Sequence, residues 1–235
     1  MLKNYDEHSQ ESILKYAKKL EGKTLREVLS NEIINMMRVH EKGNKGRYGQ
    51  KIEQYYFEYD INSDSSADFP CGLELKATPL KTLKNGKLSP KERLVCNIIN
   101  YEDIIHETWE TSSFLEKNSS TLLIRYIDPM DDNISQLDYQ IIDVRIHNIL
   151  DNEEDKKQFK EDWNTIVDKI KRGEAHLLSE SDTKYLGACT KGSTAAKSFR
   201  KQPNSDILAK QRAFSFKTAY MKILLNRMLE EKKDI

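Results

Sequence analysis

No apolar run in this sequence comes near the roughly 18 residues that a membrane span requires, and no signal-like apolar stretch follows Met1. No membrane role is expected. Cysteine is scarce: Cys71, Cys96 and Cys189 are far apart and odd in number. They lack both metal-ligand spacing and a disulfide framework, so the expected setting is a reducing cytoplasm. The five histidines, His8, His40, His106, His147 and His176, show neither paired zinc spacing nor a His-Asn-His nuclease pattern. "GNKGRYG" has glycines but not the Lys-Ser/Thr ending of a phosphate-binding P-loop, so its glycines read as a turn. Net charge is absent too, with 38 basic and 38 acidic residues, which argues against indiscriminate coating of nucleic acid. There is no internal repeat and no low-complexity linker.

The zero net charge hides an uneven distribution. Lys184 to Lys217 holds eight Lys or Arg against one acid, Asp206, and Lys76 to Arg93 holds six against Glu92. Two basic stretches on a neutral chain suggest local contact with an anionic partner; solvated loops are the alternative. With 235 residues, 37% of them hydrophobic, the chain can bury a substantial core.

Periodicity assigns the elements. "ESILKYAKKLEGK" spaces Ile13, Leu14, Ala17 and Leu20 on one helical face, with Gly22 at its end. Thr24 and Glu27 form a capping box for a short second helix. "NKGRYGQ" reads as a loop and "QKIEQYYFEY" as a helix carrying Glu53. From Asp68 the period becomes two: Leu73, Leu75 and Ala77 alternate with Glu74, Lys76 and Thr78, the pattern of a strand with one polar face. "KNGK" is a hairpin turn, and "RLVCNII", "TLLIRYI" and "YQIIDVRI" are further strands. Phe159, Trp163, Ile166, Val167 and Ile170 form the stripe of the clearest helix, which Gly173 ends. Residues 179–206 read as a long polar stretch, "RAFSF" as a short strand and "KTAYMKILLNRMLEE" as a closing helix. Helices, then strands, then helices describe an α+β fold.

One stretch carries chemistry. In "DFPCGLELKATPL", Glu74 and Lys76 are two residues apart on a strand and so project from one face. Asp68 precedes a turn at Pro70 and Gly72, from which its carboxylate can swing towards that face. Two carboxylates are hard oxygen ligands suited to Mg²⁺, and a nearby Lys can orient an attacking water; together they suit metal-assisted phosphodiester hydrolysis. Glu-x-Lys alone is a weak signal, since it also occurs at Glu21, Glu154, Glu230 and Glu231. An exposed strand ion pair, worth at most about 1 kcal/mol, is the bland alternative.

"ADFPCGLELKATPL" resembles the active-site segment of the MutH mismatch-repair endonuclease and its restriction-enzyme relatives, nucleases with an Asp…Glu-x-Lys site. The resemblance runs along most of the chain. "NKGRYGQKIEQYY" resembles the family's Gly-rich turn and helix, "TWETSSF" a strand-and-turn motif, and "EDWNTIVDKIKRGEAH" its Trp-bearing helix. "KYLGACTKG" and "RAFSFK" resemble its DNA-contacting loop and strand, and "KATPLKTLKNGKLSPKERLVCNIINYE" looks most like the restriction branch that cuts at GATC. The resemblance implies a restriction-endonuclease-like core, a mixed central sheet flanked by helices. It implies one catalytic domain over residues 1–235, the N-terminal part of a longer restriction enzyme with a C-terminal effector domain. The implied substrate is double-stranded DNA cut at GATC, 5′ of the G, with Mg²⁺. Asp68 and Glu74 would be metal ligands, Lys76 the catalytic lysine and Glu53 a further active-site acid. Lys191 would contact DNA in the recognition loop, Lys217 would lie beside the cut phosphate, and Arg212 and Ser215 would stand on the DNA face. MutH has an Arg in place of Cys189 and, in place of Ser215, a Tyr that senses adenine methylation, so methylation discrimination is not expected here. A MutH-type nicking enzyme and a non-cleaving DNA-binding copy of the fold are the other readings; a silent copy would have lost the acid-lysine set.

Overall fold

The computed structural model describes residues 3–40, 48–59, 66–192 and 198–233. The chain divides into two compact units, Met1–Glu92 with Ser120–His147, and Arg93–Ser119 with Asn148–Ile235. Among the described residues the strands are β1 (Glu74–Thr82), β2 (Leu88–Pro90), β3 (Leu94–Ile98), β4 (Ser120–Ile127), β5 (Ile141–Asn148), β6 (Leu186–Thr190), β7 (Phe199–Gln202), β8 (Ser205–Lys210) and β9 (Arg212–Phe216). No helix among the described residues is long and apolar enough to cross a membrane.

The first unit is built on a mixed four-stranded sheet in the order β2-β1-β4-β5. β1 and β4 run parallel, in register from Glu74 opposite Thr121 to Leu80 opposite Ile127. β2 returns antiparallel to β1 through the turn at Asn85 and Gly86, as the Lys-Asn-Gly-Lys signal indicates. The helix Gln10–Ala17 ends in a 3-10 turn, Lys18–Leu20. Glu27 then accepts the Thr24 backbone N–H at 2.7 Å, which caps the next turn as its sequence implies. Ile13, Ala17, Leu20, Ile52 and Phe57 from the helical side bury against Leu73, Leu75, Leu122, Ile124 and Val144. β4 is buried along nearly its whole length, because a central strand of a mixed sheet is covered on both faces.

The second unit has an antiparallel sheet, β3-β9-β6, and a separate two-stranded ribbon, β7-β8. Its core is aromatic. Phe159 meets Phe216 and Tyr220 with ring centroids at 5.1 and 4.8 Å, and Phe114 meets Phe214 at 5.1 Å. The helices Glu153–Lys171 and Thr218–Glu231 supply much of it, with Phe159, Trp163, Ile166, Val167 and Ile170 all buried, as the stripe requires. Gly173 stands at φ +74°, where a Cβ would come within 2.6 Å of the Asn204 carbonyl oxygen; the turn after the helix needs glycine for both reasons.

"RLVCNII" and "RAFSF" are strands as expected, and they pair with each other as β3 and β9. Several sequence expectations are corrected. "TWETSSF" is a 3-10 turn, Trp109–Thr111, and the start of a helix, with Ser112 capping Leu115 N–H, rather than a strand. Of "NKGRYGQ", residues 44–47 lie outside the described residues, and Tyr48, Gly49 and Gln50 already belong to the helix Tyr48–Lys51. The polar stretch 179–206 contains β6 and half of the ribbon. Its turn at Pro203 and Asn204 was the available signal, overlooked because basic and amide side chains mask strand periodicity.

Candidate active site and nucleic-acid interface

The acid-lysine set lies wholly in the first unit. Asp68 stands at the mouth of a tight turn closed by the Phe69–Leu73 bridge, with Gly72 at φ +77°. That turn folds Asp68 back beside the start of β1. Its Oδ2 accepts the Leu75 backbone N–H at 2.8 Å, and its own N–H donates to Glu74 Oε2 at 3.2 Å. Lys76 Nζ donates to Glu74 Oε1 at 2.5 Å. Asp68, Glu74 and Lys76 are thus one hydrogen-bonded group, as strand alternation and the Pro-Gly turn imply.

The polar face expected for β1 is not an exposed one. Glu74 is 1% exposed, and Lys76 is only partly so. β2 joins β1 only from Leu80 onward, so Glu74 to Thr78 have β4 as their one strand neighbour among the described residues. Pro79 stands where the β2 pairing ends, its carbonyl accepting the Lys91 backbone N–H at 3.0 Å. An exposed ion pair is excluded by this burial.

Glu53 comes from the preceding helix, in the π turn Ile52–Tyr56, a widened turn of a kind frequent at functional sites. Burial first, then the Asp68 carboxylate and, more weakly, Glu74, push its carboxyl up to about 7, against the pull of Lys76. Gly49, one turn earlier, lies against Ala77 of β1 and Glu53: a Cβ there would stand 3.6 Å from Ala77 Cβ and 3.9 Å from Glu53 Oε1. The helix therefore packs closely on the strand that carries Glu74 and Lys76.

Three carboxylates thus lie close together, and one of them already resists ionisation. Such a grouping of acids suits a cation. Among the described residues no three His, Cys, Asp or Glu side chains close into a cage. Asp68 and Glu74 instead offer two carboxylates beside a turn, the donor set of an ion such as Mg²⁺ that keeps several of its waters.

The second basic stretch lies in the second unit, and its residues differ in what they can reach. Lys191 follows β6, its backbone N–H held by the Gln211 carbonyl at 2.8 Å. Its side chain lines an open pocket of ≈ 290 Å³ with Arg93, Glu180, Cys189, Thr190 and Arg212. Arg93 and Glu180 form an ion pair across it. Arg212 donates to the carbonyls of Ala188 and Leu178 at 3.0 and 2.7 Å, and Lys217 donates to those of Glu180 and Thr183, both at 2.5 Å. Both cations therefore hold the backbone around the loop. Ser215 is fully buried, with Oγ 3.5 Å from the Gly187 carbonyl, and has no surface to offer a base. The resemblance implies that all four meet DNA; of them, only Lys191 has an ammonium that no carbonyl claims among the described residues.

Two buried carboxylates escaped the sequence reading. Asp162 accepts the N–H groups of Lys184, Tyr185 and Leu186 at 3.0, 2.6 and 2.8 Å, so it fixes the entry to β6. Asp155 accepts from Tyr220 and Arg227. Both fall on the apolar stripe of the helix Glu153–Lys171, at Phe159 minus four and plus three, where a charged residue signals a buried partner.

Residues 57–162 match the family described as DNA mismatch repair enzyme MutH. That span takes in Asp68, Glu74 and Lys76 and excludes Glu53 and the second basic stretch. A type II restriction enzyme, Sau3AI of Staphylococcus aureus, is 44% identical over 225 residues, which cover 93% of this chain and 43% of that enzyme. The chain spans less than half the length of the curated relative it matches.

Proposed function

We propose that this chain is a MutH-like nuclease and the catalytic part of a type II restriction endonuclease, a reading supported by the match of residues 57–162 and by the 44% identity to a type II restriction enzyme. Its substrate in this reading is double-stranded DNA containing GATC, cut 5′ of the G with Mg²⁺ in the cytoplasm, and the intact protein carries a further, C-terminal effector domain. The observation that carries the reading is the hydrogen-bonded group of Asp68, Glu74 and Lys76, buried beside a third carboxylate. A non-cleaving copy of the fold has no use for three carboxylates held together beside a lysine.

In this mechanism Asp68 and Glu74 hold the metal. The chemistry such a cation supplies when bound is neutralisation of charge at a phosphoryl oxygen and a more acidic water. Lys76 Nζ, held in place by Glu74, orients the attacking water and offers positive charge to the phosphate. Glu53, whose carboxyl is pushed up to about 7 by burial and its acidic neighbours, is the acid of this group that holds a proton most readily. In the second unit, Lys191 contacts DNA from the pocket wall, while Arg212, Ser215 and Lys217 act on DNA indirectly, by shaping the loop that bears it.

The test is digestion of a GATC-containing plasmid with and without Mg²⁺, with the product ends sequenced. Cleavage on both strands before G, lost in Glu74→Ala, supports the proposal; intact plasmid under all divalent ions refutes it. The repair-type alternative is separated by three synthetic duplexes that differ only in adenine methylation. With small, buried Ser215 replacing an aromatic sensor, the three are cut within about tenfold of one another, because misfitting one group costs on the order of 1–3 kcal/mol only where a tight pocket meets it. A preference above a hundredfold for the hemimethylated duplex, with nicking of one strand, would assign the chain to repair.

A further inference from the structure

The β7–β8 ribbon carries the exposed cations that the recognition strand lacks. One face is anchored. Gln202 accepts the Ala175 N–H at 2.7 Å and donates to the Ile207 carbonyl at 2.5 Å, Asn204 Nδ2 donates to the Lys171 carbonyl at 2.9 Å, and Ala209 is fully buried. The other face is open. Phe199 lies directly opposite Lys210, and Leu208, two residues earlier on β8, shares that face. Phe199 and Leu208 are 42% and 50% exposed, and Lys201 and Lys210 are exposed. Neither lysine makes an ion pair among the described residues, and Asp206 is the ribbon's only acid. The ribbon's open end also joins the pocket wall through backbone bonds: Gln211 N–H donates to Ser198 O, and Gln211 O accepts from Lys191.

We propose that the β7–β8 ribbon is a DNA-docking element, in which Lys201 and Lys210 take backbone phosphates while Phe199 and Leu208 pack on sugar and base edges at the groove. This rests on the reading that the chain acts on duplex DNA, and it deepens that reading by shifting phosphate contact from Arg212 and Lys217 to the ribbon. Three observations favour DNA over a protein partner. The face carries two exposed lysines against one acid, Asp206. It is continuous with Lys191. A two-stranded ribbon also has the cross-section that a major groove of about 12 Å admits, its strands lying about 4.8 Å apart. Exposed apolar side chains beside lysines suit a surface that must meet both phosphate charge and the apolar edges of sugars and thymine methyls.

The experiment measures duplex binding over a salt series for the full chain with catalysis suppressed by Ca²⁺, comparing wild type, Lys201→Ala/Lys210→Ala and Phe199→Ala/Leu208→Ala on GATC and scrambled duplexes. The lysine pair should weaken binding equally on both sequences and reduce the slope of log K against log salt by about 2, at about 0.9 per lost phosphate contact. The apolar pair should weaken binding several-fold with the slope unchanged. All substituted side chains are exposed, and the circular dichroism and melting temperature of each variant check that folding is retained. If wild type binds DNA and neither pair changes affinity or slope, the ribbon assignment is overturned. If instead the apolar pair alters only sedimentation behaviour, the face is a protein interface and the assignment is again wrong. If wild type itself shows no DNA binding at low salt, it is the nuclease reading that fails.

Discussion

Both units bury carboxylates, and they treat them in opposite ways. In the second unit each buried acid is saturated with donors: Asp162 takes three backbone N–H groups, and Asp155 takes a tyrosine hydroxyl and an arginine. In the first unit Asp143 is likewise met by Arg125 and Arg145, whose charges hold its carboxyl below the usual range although burial alone would raise it. The cluster of Glu53, Asp68 and Glu74 breaks that rule. There burial and the charges of Asp68 and Glu74 push the Glu53 carboxyl up to about 7. Burial alone therefore does not distinguish a working site from a structural one; the crowding of several carboxylates, which raises one of them, does.

The sharpest test of that contrast removes one acid from each kind of environment. Asp68→Ala and Glu74→Ala should each lower single-turnover cleavage by on the order of a thousandfold, about 4 kcal/mol of transition-state stabilisation, while the protein remains folded. Wild-type rates in either variant would remove these residues from the site. Asp162→Ala should do the reverse. Leaving the buried Leu186 N–H and the partly buried N–H groups of Lys184 and Tyr185 without an acceptor costs about 1–3 kcal/mol for the first and less for the others, so a loss of roughly 3 kcal/mol in denaturant unfolding is expected. An unchanged unfolding midpoint would mean that the second unit does not depend on Asp162.

A smaller effect comes from Gly173. Replacing it with Ala places a Cβ against the Asn204 carbonyl at a positive φ, and about 1–2 kcal/mol should be lost as the helix end and the ribbon turn are forced apart. Cleavage chemistry per bound complex should be unaffected, which a KM-against-kcat comparison reads. The smallest effect has the opposite sign. Glu53 binds its proton more tightly folded than unfolded, so folded stability without metal should fall as pH rises from about 4.5 to about 7. Glu53→Gln should flatten that decline and raise metal-free stability at pH 8 by on the order of 1 kcal/mol, discounted because the carboxyl is partly solvated. Melting curves of wild type and variant from pH 4.5 to 8 decide it; parallel curves would show that the crowding around Glu53 carries no free energy.

Local order determined much of this protein. The stripe from Phe159 to Ile170, the Thr24–Glu27 cap, the hairpin at Asn85–Gly86 and the Asp68…Glu74-x-Lys76 group all depend on residues close in sequence, whose spacing sets which side chains share a face. What lay beyond reach depends on neighbours brought from far along the chain. Strand alternation places Glu74 and Lys76 on one face, but only the parallel pairing with β4 and the packing of the Gly49–Glu53 helix make that face an interior one. Likewise, Arg212, Ser215 and Lys217 look like surface groups because their own segment is basic. Arg212 Nη1 and Nη2, Ser215 Oγ and Lys217 Nζ are claimed by carbonyls at Leu178, Glu180, Thr183, Gly187 and Ala188, and no spacing rule within the segment announces that. Which charges remain free for a partner was decided by tertiary structure, because a buried carbonyl left without a donor costs more than a lysine or arginine loses by leaving water to satisfy it.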